Sequence, residues 1–367
     1  MTPGGPGGRY DVAVVGGGPA GAAAALTLAR LGRRVLLADS PAGHAVGFKV
    51  GESLPPAARP ILHALGVWDA LLADGHLPSY GNASVWGSET VASTDFLFSP
   101  YGPGWHLDRG RFDGRLRRAA EEAGADLWRA AVRVRRAGGG WAVDAGGPPA
   151  RCDWVIDASG RRAAVARRQG TAWSADDRLI CAYARFRPAD TPDPDARTLI
   201  EAAADGWWYT APVPGRGRVV AYLTDADLAP PRLARSPAAF LALLAGTAAV
   251  GPLLAARGYR PDSPLAAASA HSGRLDPPAG PGWVAVGDAA LSLDPLSSQG
   301  ILSALRTGVG GAEAAHAHLA GDSSALARYS RSVADGYRAY LRQRADSYAL
   351  ERRWPARPFW RRRHPPG

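Results

Sequence analysis

Cysteine, lysine and methionine are nearly absent from this 367-residue sequence. The only cysteines are Cys152 and Cys181, which excludes a disulfide framework and a CxxC metal or redox site. Lys49 is the only lysine, so arginine carries nearly all of the positive charge. No apolar segment follows Arg9, so we expect no signal peptide and a cytoplasmic location.

A long uninterrupted hydrophobic run is also missing. Residues 236–256 carry no charge and are nominally long enough to span a bilayer, but Gly246 and the Gly251-Pro252 pair interrupt them. They predict two short buried helices, with contact to a membrane surface as the less favoured alternative. The overall composition, 46% hydrophobic and 21% charged, is that of a globular protein with about two domains.

Part of the formal net charge of +10 is concentrated near the C-terminus. The segment from Arg352 to Arg363 contains six arginines and no acidic residue, interleaved with Trp354, Phe359 and Trp360. Such a tail could contact nucleic acid, an acidic protein or a lipid surface. We favour the alternative, in which the aromatic rings pack on the body and the arginines stay in water. We therefore expect no nucleic-acid partner and no membrane partner.

A glycine-rich turn joins a predicted strand to a predicted helix near the N-terminus. Residues 10–15 are rich in valine and predict a buried strand, 19–31 predict an alanine-rich helix, and 34–39 predict a second strand. We also predict helices over 111–123, 300–319 and 325–350. The turn has the G-x-G-x-x-G pattern, in the order Gly16, Gly17, Gly18, Pro19, Ala20, Gly21.

This turn is typical of a dinucleotide site. Gly16 allows the tight turn, Gly18 lets the backbone approach a pyrophosphate, and Gly21 permits close packing of the helix on the strand. Pro19 and Ala20 begin the helix, whose N-terminal amides can bind phosphate. Asp39 ends the second strand eighteen residues after Gly21, where its carboxylate is expected to meet a ribose hydroxyl.

A second pattern occurs near residue 290. The predicted strand 283–286 ends in Gly287 and Asp288, which places a carboxylate at the edge of the sheet, where it can accept a polyol hydroxyl. Asp294-Pro295 follows, and the Gly300 and Ile301 amides begin the next helix, where they can face an anion.

This second pattern resembles the ribityl-binding motif of the para-hydroxybenzoate-hydroxylase-like flavoproteins. The resemblance implies FAD as the cofactor and assigns Asp288 to its ribitol. It also implies that the stretch with Asp157 and Gly160 passes the cofactor, and that Arg109 lies beside the pyrophosphate. The cofactor-binding residues implied in this way also include Ser53, Gly287, Pro295, Gly300 and Ile301.

The same resemblance implies an α/β fold with two domains. A Rossmann-like FAD-binding domain is expected over 9–65, 105–165 and 270–322. A β-sheet substrate domain is inserted at 66–104 and 166–269, because the middle of the chain predicts several strands. Residues 323–367 are expected to form a C-terminal helix and the basic, aromatic tail.

The Gly51-Glu52-Ser53 loop is similar to that of the flavin-dependent halogenase branch of these flavoproteins. Halogenase chemistry needs a lysine ammonium downstream of this loop, and the corresponding segment 80–86 contains no lysine. The only lysine, Lys49, precedes the loop, so halogenation is disfavoured. The segment with Trp207, Trp208 and Tyr209 matches the branch's Trp-x-Trp-x-Ile-Pro signature only in part.

The whole chain is more similar to halogenase-like flavoproteins that help to mature tryptophylquinone cofactors in amino-acid oxidases. This implies an FAD-dependent monooxygenase that hydroxylates tryptophan, an indole or peptidyl-tryptophan through a C4a-(hydro)peroxyflavin. The substrate would be an aromatic small molecule or a tryptophan-containing peptide or protein. O2 is the expected co-substrate, and the reductant is NAD(P)H or reduced flavin from a separate flavin reductase. No metal is expected.

Four residues are the candidates for the catalytic site. Trp207, Trp208 and Tyr209 could stack on an aromatic substrate, with core packing as the alternative, and Glu52 could be a carboxylate near the flavin or a structural group. The alternative functions are a halogenase, a prenyl-lipid reductase of the same fold, and an FAD-bearing escort protein without turnover.

Overall fold

The first two strands and the helix between them form the predicted β-α-β unit. The computed structural model describes residues 7–40, 50–188, 193–228 and 236–364. Lys49, on which the argument about halogenation depends, lies outside the described residues. The fold is α/β, as the sequence predicts, and its strands form two large and two small sheets.

The strands and helices of the described residues follow in chain order. The strands are β1 (Arg9–Val15), β2 (Val35–Ala38), β3 (Ser53–Leu54), β4 (Leu77–Ser79), β5 (Gly81–Val85), β6 (Ala92–Asp95), β7 (Gly104–His106), β8 (Asp126–Trp128), β9 (Arg133–Ala137), β10 (Gly140–Asp144), β11 (Ala150–Asp157), β12 (Ala172–Ala175), β13 (Leu179–Arg187), β14 (Thr198–Ala203), β15 (Gly206–Val213), β16 (Gly217–Asp225), β17 (Arg260–Pro261), β18 (Ala266–Ser269), β19 (Gly273–Asp276), β20 (Ala279–Gly280), β21 (Trp283–Ala285) and β22 (Leu291–Ser292). The helices are α1 (Pro19–Arg30), α2 (Arg59–Ala64), α3 (Trp68–Ala73), α4 (Arg109–Glu122), α5 (Pro237–Ala245), α6 (Val250–Ala256), α7 (Gly300–Leu319), α8 (Ala325–Ala349) and α9 (Pro358–Arg361).

The first large sheet brings the carboxyl ends of three strands together. Its order is β20-β21-β11-β1-β2-β8, and the pairs from β21 through to β8 are parallel. Val15 lies opposite Asp157 on one side and Ala38 on the other. Because ligands of parallel sheets bind outside these ends, the segments after Val15, Ala38 and Asp157 are placed to form one site.

The second large sheet is mostly antiparallel and has the order β17-β13-β16-β15-β14-β5-β6, with β18 added beside β13. Its long central strands β15 and β16 are buried along their whole length. A strand buried on both faces must be covered by other elements on each side. One face packs on the C-terminal segment around Tyr348 and Trp360, and the other on α5 and α6. The predicted bounds of the two domains remain a prediction.

Helix α1 is the central helix of the core that packs on the first large sheet. Pro19 occupies its first turn, where a missing N–H costs nothing, and its small side chains are buried on nearly every face. Such a helix is expected to be covered on all sides. It packs between α7 and α4, with the parallel sheet beneath.

The predicted helices agree closely with the observed ones. The helix α7 has the predicted bounds, and α8 ends one residue earlier than predicted. The helix α4 begins at Arg109, two residues before the predicted start, because the Asp108 side chain accepts a hydrogen bond from Arg111 N and caps the helix.

The apolar segment 236–256 forms two short helices, as predicted, but they are only half-buried. Phe240, Leu244, Val250 and Leu254 pack against the second large sheet, while other side chains of α5 are exposed. Among the described residues, no single helix is long and apolar enough to cross a membrane. Together α5 and α6 pass that test by length and composition, but they meet at an angle of 100°.

The basic tail packs on the body through its arginines as well as its rings. Phe359 and Trp360 are buried, as predicted. The prediction that the arginines stay in water is wrong for Arg363, which is buried and forms an ion pair with Asp225 at 2.6 Å. Its guanidinium also lies 3.6 Å from the centre of the Phe359 ring. Asp225 ends β16, so this pair fixes the tail to the second sheet.

We expect Arg363→Met to lower the free energy of unfolding by about 3–5 kcal/mol, because it leaves the buried Asp225 carboxylate without its buried partner. Arg362→Met is the matched control. Arg362 also pairs with Asp225 and with Asp227, but its side chain is 41% exposed, so its loss should cost about 1 kcal/mol or less. Urea unfolding of both variants measures the difference, and equal losses would contradict the assignment.

Candidate functional site

A cavity of about 690 Å³ lies at the carboxyl ends of β1, β2 and β11 and continues to the face of the second large sheet. It brings together most of the residues singled out in the sequence. Those that line it are Gly16, Gly18, Pro19, Ala20, Asp39, Glu52, Ser53, Arg109, Gly160, Tyr209, Asp288, Pro295, Gly300 and Ile301.

The glycine turn forms one end of the cavity. Gly16 has a φ of +111°, and a Cβ on it would lie 2.3 Å from the Ala158 carbonyl oxygen. A Cβ on Gly21 would lie 1.8 Å from the Gly16 oxygen, so this glycine serves packing, as predicted, and does not line the cavity. Gly18 differs from both, because a Cβ there would meet no protein atom within 4 Å. Its open side is therefore available to a ligand.

Asp39 secures this turn from the end of β2. Its Oδ1 accepts a hydrogen bond from Gly17 N at 3.0 Å, and Arg117 Nη1 lies 3.4 Å from its Oδ2. Arg117 also donates to the Gly17 carbonyl at 3.0 Å. The carboxylate is thus held in the cavity wall, beside the backbone expected to approach a pyrophosphate.

Two helices present their N-termini to the cavity. Among the described residues, no side chain caps α1 at Gly18 or α7 at Gln299. The first-turn amides of a helix have no partner within the helix. Amides at two such ends, with open space at Gly18, fit the pyrophosphate at one end of an FAD and the ring edge at the other.

Four arginines of the described residues line the cavity: Arg109, Arg161, Arg162 and Arg168. Arg109 begins α4, pairs with Asp113 at 3.1 Å and donates to the Gly51 carbonyl at 2.7 Å. Arg161 lies 3.3 Å from Asp288, and its guanidinium also donates to the His271 carbonyl. No role was predicted for Arg161 from the sequence, although it directly follows the Asp157–Gly160 stretch.

The loop that carries Pro295 is fixed by α8. The buried Asp294 carboxylate accepts hydrogen bonds from Tyr348 Oη at 2.8 Å and from Leu296 N at 2.9 Å. Arg344 Nε lies 3.4 Å from it, and Arg344 Nη2 also pairs with Asp177 at 2.7 Å. Burial raises the pKa of the Asp294 carboxyl, with Arg344 opposing that effect. Asp294 is part of the sequence pattern near residue 290, but no binding role was predicted for it.

Asp157 and Gly287, both expected to bind the cofactor, do not line the cavity. Asp157 is fully buried and does not line the cavity, because its oxygens accept hydrogen bonds from the Ser159, Val165 and Ala166 amides. This carboxylate shapes the loop after β11, so the geometry does not support direct binding of a cofactor. Gly287 also lies outside the lining, and its neighbour Asp288 faces the cavity instead.

The predicted tryptophans do not line the cavity. Trp207 is fully buried, and its Nε1 donates to Tyr348 Oη at 3.1 Å. Trp208 points to the other face of the sheet, where its ring lies 5.1 Å from that of Phe240. Of the three aromatic candidates only Tyr209 lines the cavity. Alternation along β15 directs Trp208 to the opposite face, whereas Trp207 shares the face of Tyr209 but is covered there by the C-terminal segment around Tyr348. The geometry supports core packing for both tryptophans.

The cavity wall on the second sheet is apolar and made of small side chains. It consists of Cys181 on β13, Ala221 and Leu223 on β16, Ala268 on β18, and Ala270. Burial raises the pKa of the Cys181 thiol to about 12, so it stays neutral. This wall was not predicted from the sequence. Positions 221 and 223 alternate along the chain, which indicates that they share one face of a strand, but only strand pairing shows which face meets the cavity.

Tyr209 and Ser269 are the polar exceptions in this wall, and Glu52, just before β3, borders it beside Tyr209. Glu52 is fully buried, and Tyr209 Oη donates to its Oε1 at 2.5 Å. Burial raises the pKa of the Glu52 carboxyl, although the bond from Tyr209 opposes the shift. His106 is buried and does not line the cavity, and burial lowers its pKa to about 4. Within the described residues, no cluster of His, Cys, Asp or Glu could hold a metal ion.

A glycine turn at the carboxyl edge of a parallel sheet, with a cavity that continues onto a second sheet, is typical of a dinucleotide-binding protein. Residues 9–184 match the FAD binding domain family. Over 97% of both chains the sequence is 30% identical to LodB of Marinomonas mediterranea, by name a FAD-dependent oxidoreductase. The chain belongs to this family of FAD-dependent oxidoreductases.

Two solved structures have the same fold. The myxobacterial chondrochloren halogenase CndH superposes with a TM-score of 0.87 at 25% identity, covering 98% of this chain and 87% of its own. The peptidyl tryptophan dihydroxylase QhpG, essential for tryptophylquinone cofactor biogenesis, superposes with a TM-score of 0.78 at 25% identity, covering 97% of this chain and 78% of its own. The resemblance to halogenase-like flavoproteins inferred from the sequence is confirmed.

We expect Gly18→Val to abolish FAD binding, because its side chain would fill the open space beside the cradle. The purified wild type should be yellow and release FAD rather than FMN on denaturation. Gly147→Val, at an exposed bend, is the matched control and should keep the cofactor. A wild type that cannot be loaded with FAD, or a yellow Gly18→Val, would contradict the assignment.

We expect Asp288→Ala to weaken FAD binding by about 1–3 kcal/mol, because a cofactor hydroxyl would lose its acceptor in a desolvated site. Titration of the apoprotein with FAD measures the dissociation constant, and circular dichroism checks the fold. Asp276→Ala, an exposed carboxylate of β19, is the control. Unchanged affinity in folded Asp288→Ala would remove this residue from the site.

Proposed function

We propose that this protein is an FAD-dependent monooxygenase that hydroxylates an aromatic ring, with tryptophan, an indole or a peptidyl-tryptophan as the substrate class. The observation that carries the proposal is the continuity of the cavity. The cradle at Gly18 and the apolar wall at Ala221 and Leu223 border the same space. A ring on that wall would therefore lie next to the cofactor.

The wall is suited to a flat apolar ligand. Cys181, Ala221, Ala268 and Ala270 have short side chains, which leaves room above the sheet, and none carries a charge. Burying an aromatic ring against such a surface is favourable, and positioned polar groups at its edge then fix its orientation. Tyr209, Glu52 and Arg161 are the groups available here.

Bound FAD, once reduced, supplies the electrons that activate O2. The protein's own residues have three tasks. The first turn of α7, with Gly300 and Ile301, presents amides that stabilise negative charge on the ring edge. Arg109 and the Gly51 loop close one side of the cavity, and the apolar wall excludes water from the reacting atoms.

The choice of oxygenation over halogenation rests on the scarcity of lysine. The halogenase resemblance requires an ammonium that holds or carries electrophilic halogen, and Lys49 is the only lysine of the chain. Arginine is a poor substitute, since its guanidinium remains protonated and is not a nucleophile. Of the four arginines that line the cavity, Arg109 and Arg161 are engaged in ion pairs with carboxylates.

The electrons that reduce FAD must come from a second molecule. The sequence contains no second G-x-G-x-x-G turn, so a stably bound nicotinamide nucleotide has no cradle of its own. We infer that the reductant is NAD(P)H in a transient complex or reduced flavin from a separate reductase. The similarity to QhpG, by name a peptidyl tryptophan dihydroxylase, favours a protein-bound tryptophan among the candidate substrates.

We expect the enzyme to incorporate oxygen from O2 and no halide. The reaction would contain reduced FAD, isotopically labelled O2, bromide, and candidate indoles or tryptophan-containing peptides, with products analysed by mass spectrometry. Label in an aromatic ring, absent with Gly18→Val, supports the proposal. A brominated product that disappears in Lys49→Ala would overturn it. Tight FAD binding without O2 uptake on any candidate would instead favour the escort role.

A further inference from the structure

Glu52 and Tyr209 form a buried acid pair inside the cavity wall. Tyr209 Oη lies 2.5 Å from Glu52 Oε1, and the Gly51 amide donates to Glu52 Oε2 at 3.0 Å. Within the described residues, no cation lies close enough to form an ion pair with Glu52. Arg109, the nearest guanidinium, is engaged by Asp113. A carboxylate buried without a cation is costly, so this environment favours the neutral acid.

The groups that face the pair reinforce this preference. Cys181 on β13 is a neutral thiol, and Ala221 and Leu223 on β16 are apolar. Arg218, also on β16, acts on Tyr209 only through its charge at longer range, and it is held by Asp193 at 2.6 Å. Burial, with the Glu52 charge as the second cause, raises the pKa of Tyr209 well above its usual value. The exchangeable proton of the pair therefore belongs to Glu52.

Thr198 places a second hydroxyl beside the pair. Its hydroxyl is buried beside Tyr209, and among the described residues it has no partner within normal hydrogen-bond geometry. When Glu52 is ionised, Tyr209 must donate to it. When Glu52 is protonated, its Oε1–H donates to Tyr209 Oη, and the Tyr209 hydrogen turns to Thr198 or to a ligand in the cavity. One proton thus reverses the direction of the hydrogen bond.

We propose that Glu52 and Tyr209 are a proton relay, in which Glu52 stores a proton and Tyr209 delivers one to an anionic oxygen in the cavity. The proposal rests on the proposed monooxygenase function, since hydroxylation by O2 takes up two protons and releases one water. In the step, Tyr209 Oη–H passes to the anionic oxygen and Glu52 Oε1–H passes to Tyr209 Oη. Neutral Tyr209, the Glu52 carboxylate and a protonated oxygen remain, and no electron moves.

The first test needs no turnover. Infrared difference spectra of the FAD-loaded protein, recorded as the pH is raised from below neutral, should show a protonated buried carboxyl band that is lost with deprotonation. The band should be absent in Glu52→Gln and shifted in Tyr209→Phe, while Glu122→Gln, an exposed residue at the end of α4, leaves it unchanged. Absence of a band that Glu52→Gln removes would overturn the relay, whatever reaction the enzyme catalyses.

The second test measures proton delivery during oxidation by O2. We expect Glu52→Gln and Tyr209→Phe to slow ring hydroxylation by roughly 10²-fold, to divert reduced FAD to hydrogen peroxide, and to abolish the solvent deuterium isotope effect. Wild-type activity should fall as the pH rises through the raised pKa of Glu52, because the protonated form is the donor. Tyr222→Phe, on the opposite face of the sheet, is the control.

FAD titration of each variant separates delivery of protons from binding. Wild-type rates and isotope effects in FAD-loaded Glu52→Gln would overturn the relay. If no candidate substrate is oxygenated by the wild type, the proposed function fails, whereas the infrared band still decides whether Glu52 holds a proton. If either variant fails to bind FAD, the spectra of Thr198→Val replace it, and an unshifted carboxyl band there would count against the reversal.

Discussion

The buried Asp294 carboxylate is the interaction on which the arrangement of the cavity depends. Tyr348 and Arg344, both on α8, contact the carboxylate directly. The backbone N–H of Asp294 donates a hydrogen bond to Tyr340 Oη at 2.8 Å. Arg344 also reaches Asp177, just before β13, the strand that carries Cys181. One helix therefore fixes the Pro295 loop against the second sheet. A buried carboxylate with so many partners tolerates little displacement, because any lost partner leaves charge uncompensated.

The C-terminal segment also stabilises this arrangement, through its contacts with Tyr348 and with the end of β16. Arg363 lies over the Tyr348 and Phe359 rings and pairs with Asp225, so the tail holds the same tyrosine that holds Asp294. The concentration of arginines in the tail is thus explained in part by carboxylates of β16 and the turn after it. Nucleic-acid or lipid contact is not needed to account for Arg362 and Arg363.

The two ends of the cavity use different physical chemistry. At the glycine turn the ligand would be bound by backbone amides and helix ends, which suits phosphate and requires the absence of side chains. At the second sheet the surface is made of small apolar side chains, which suits a ring. Glu52 and Tyr209 lie in that second wall, so their protonation changes the charge next to the place where a ring would bind.

The sequence by itself predicted the cofactor end of the cavity, because the patterns there consist of residues that are neighbours along the chain. The glycine spacing after a strand specifies the turn at Gly16–Gly21, and the strand that ends in Gly287-Asp288 places Asp288 at the cavity. The periodic helices α7 and α8 were predicted to within one residue for the same reason. Local backbone geometry leaves few alternatives once such patterns are present.

Only the tertiary structure decided which side chains meet at the substrate end. Which face of β15 meets the cavity separates Trp208 from Tyr209, and the packing of Tyr348 over Trp207 separates Trp207 from Tyr209. The contact between Glu52 and Tyr209 joins positions 157 residues apart, and the one between Arg363 and Asp225 joins positions 138 apart. Residue type and spacing carry no information about such pairs, because packing brings them together only after both sheets have formed.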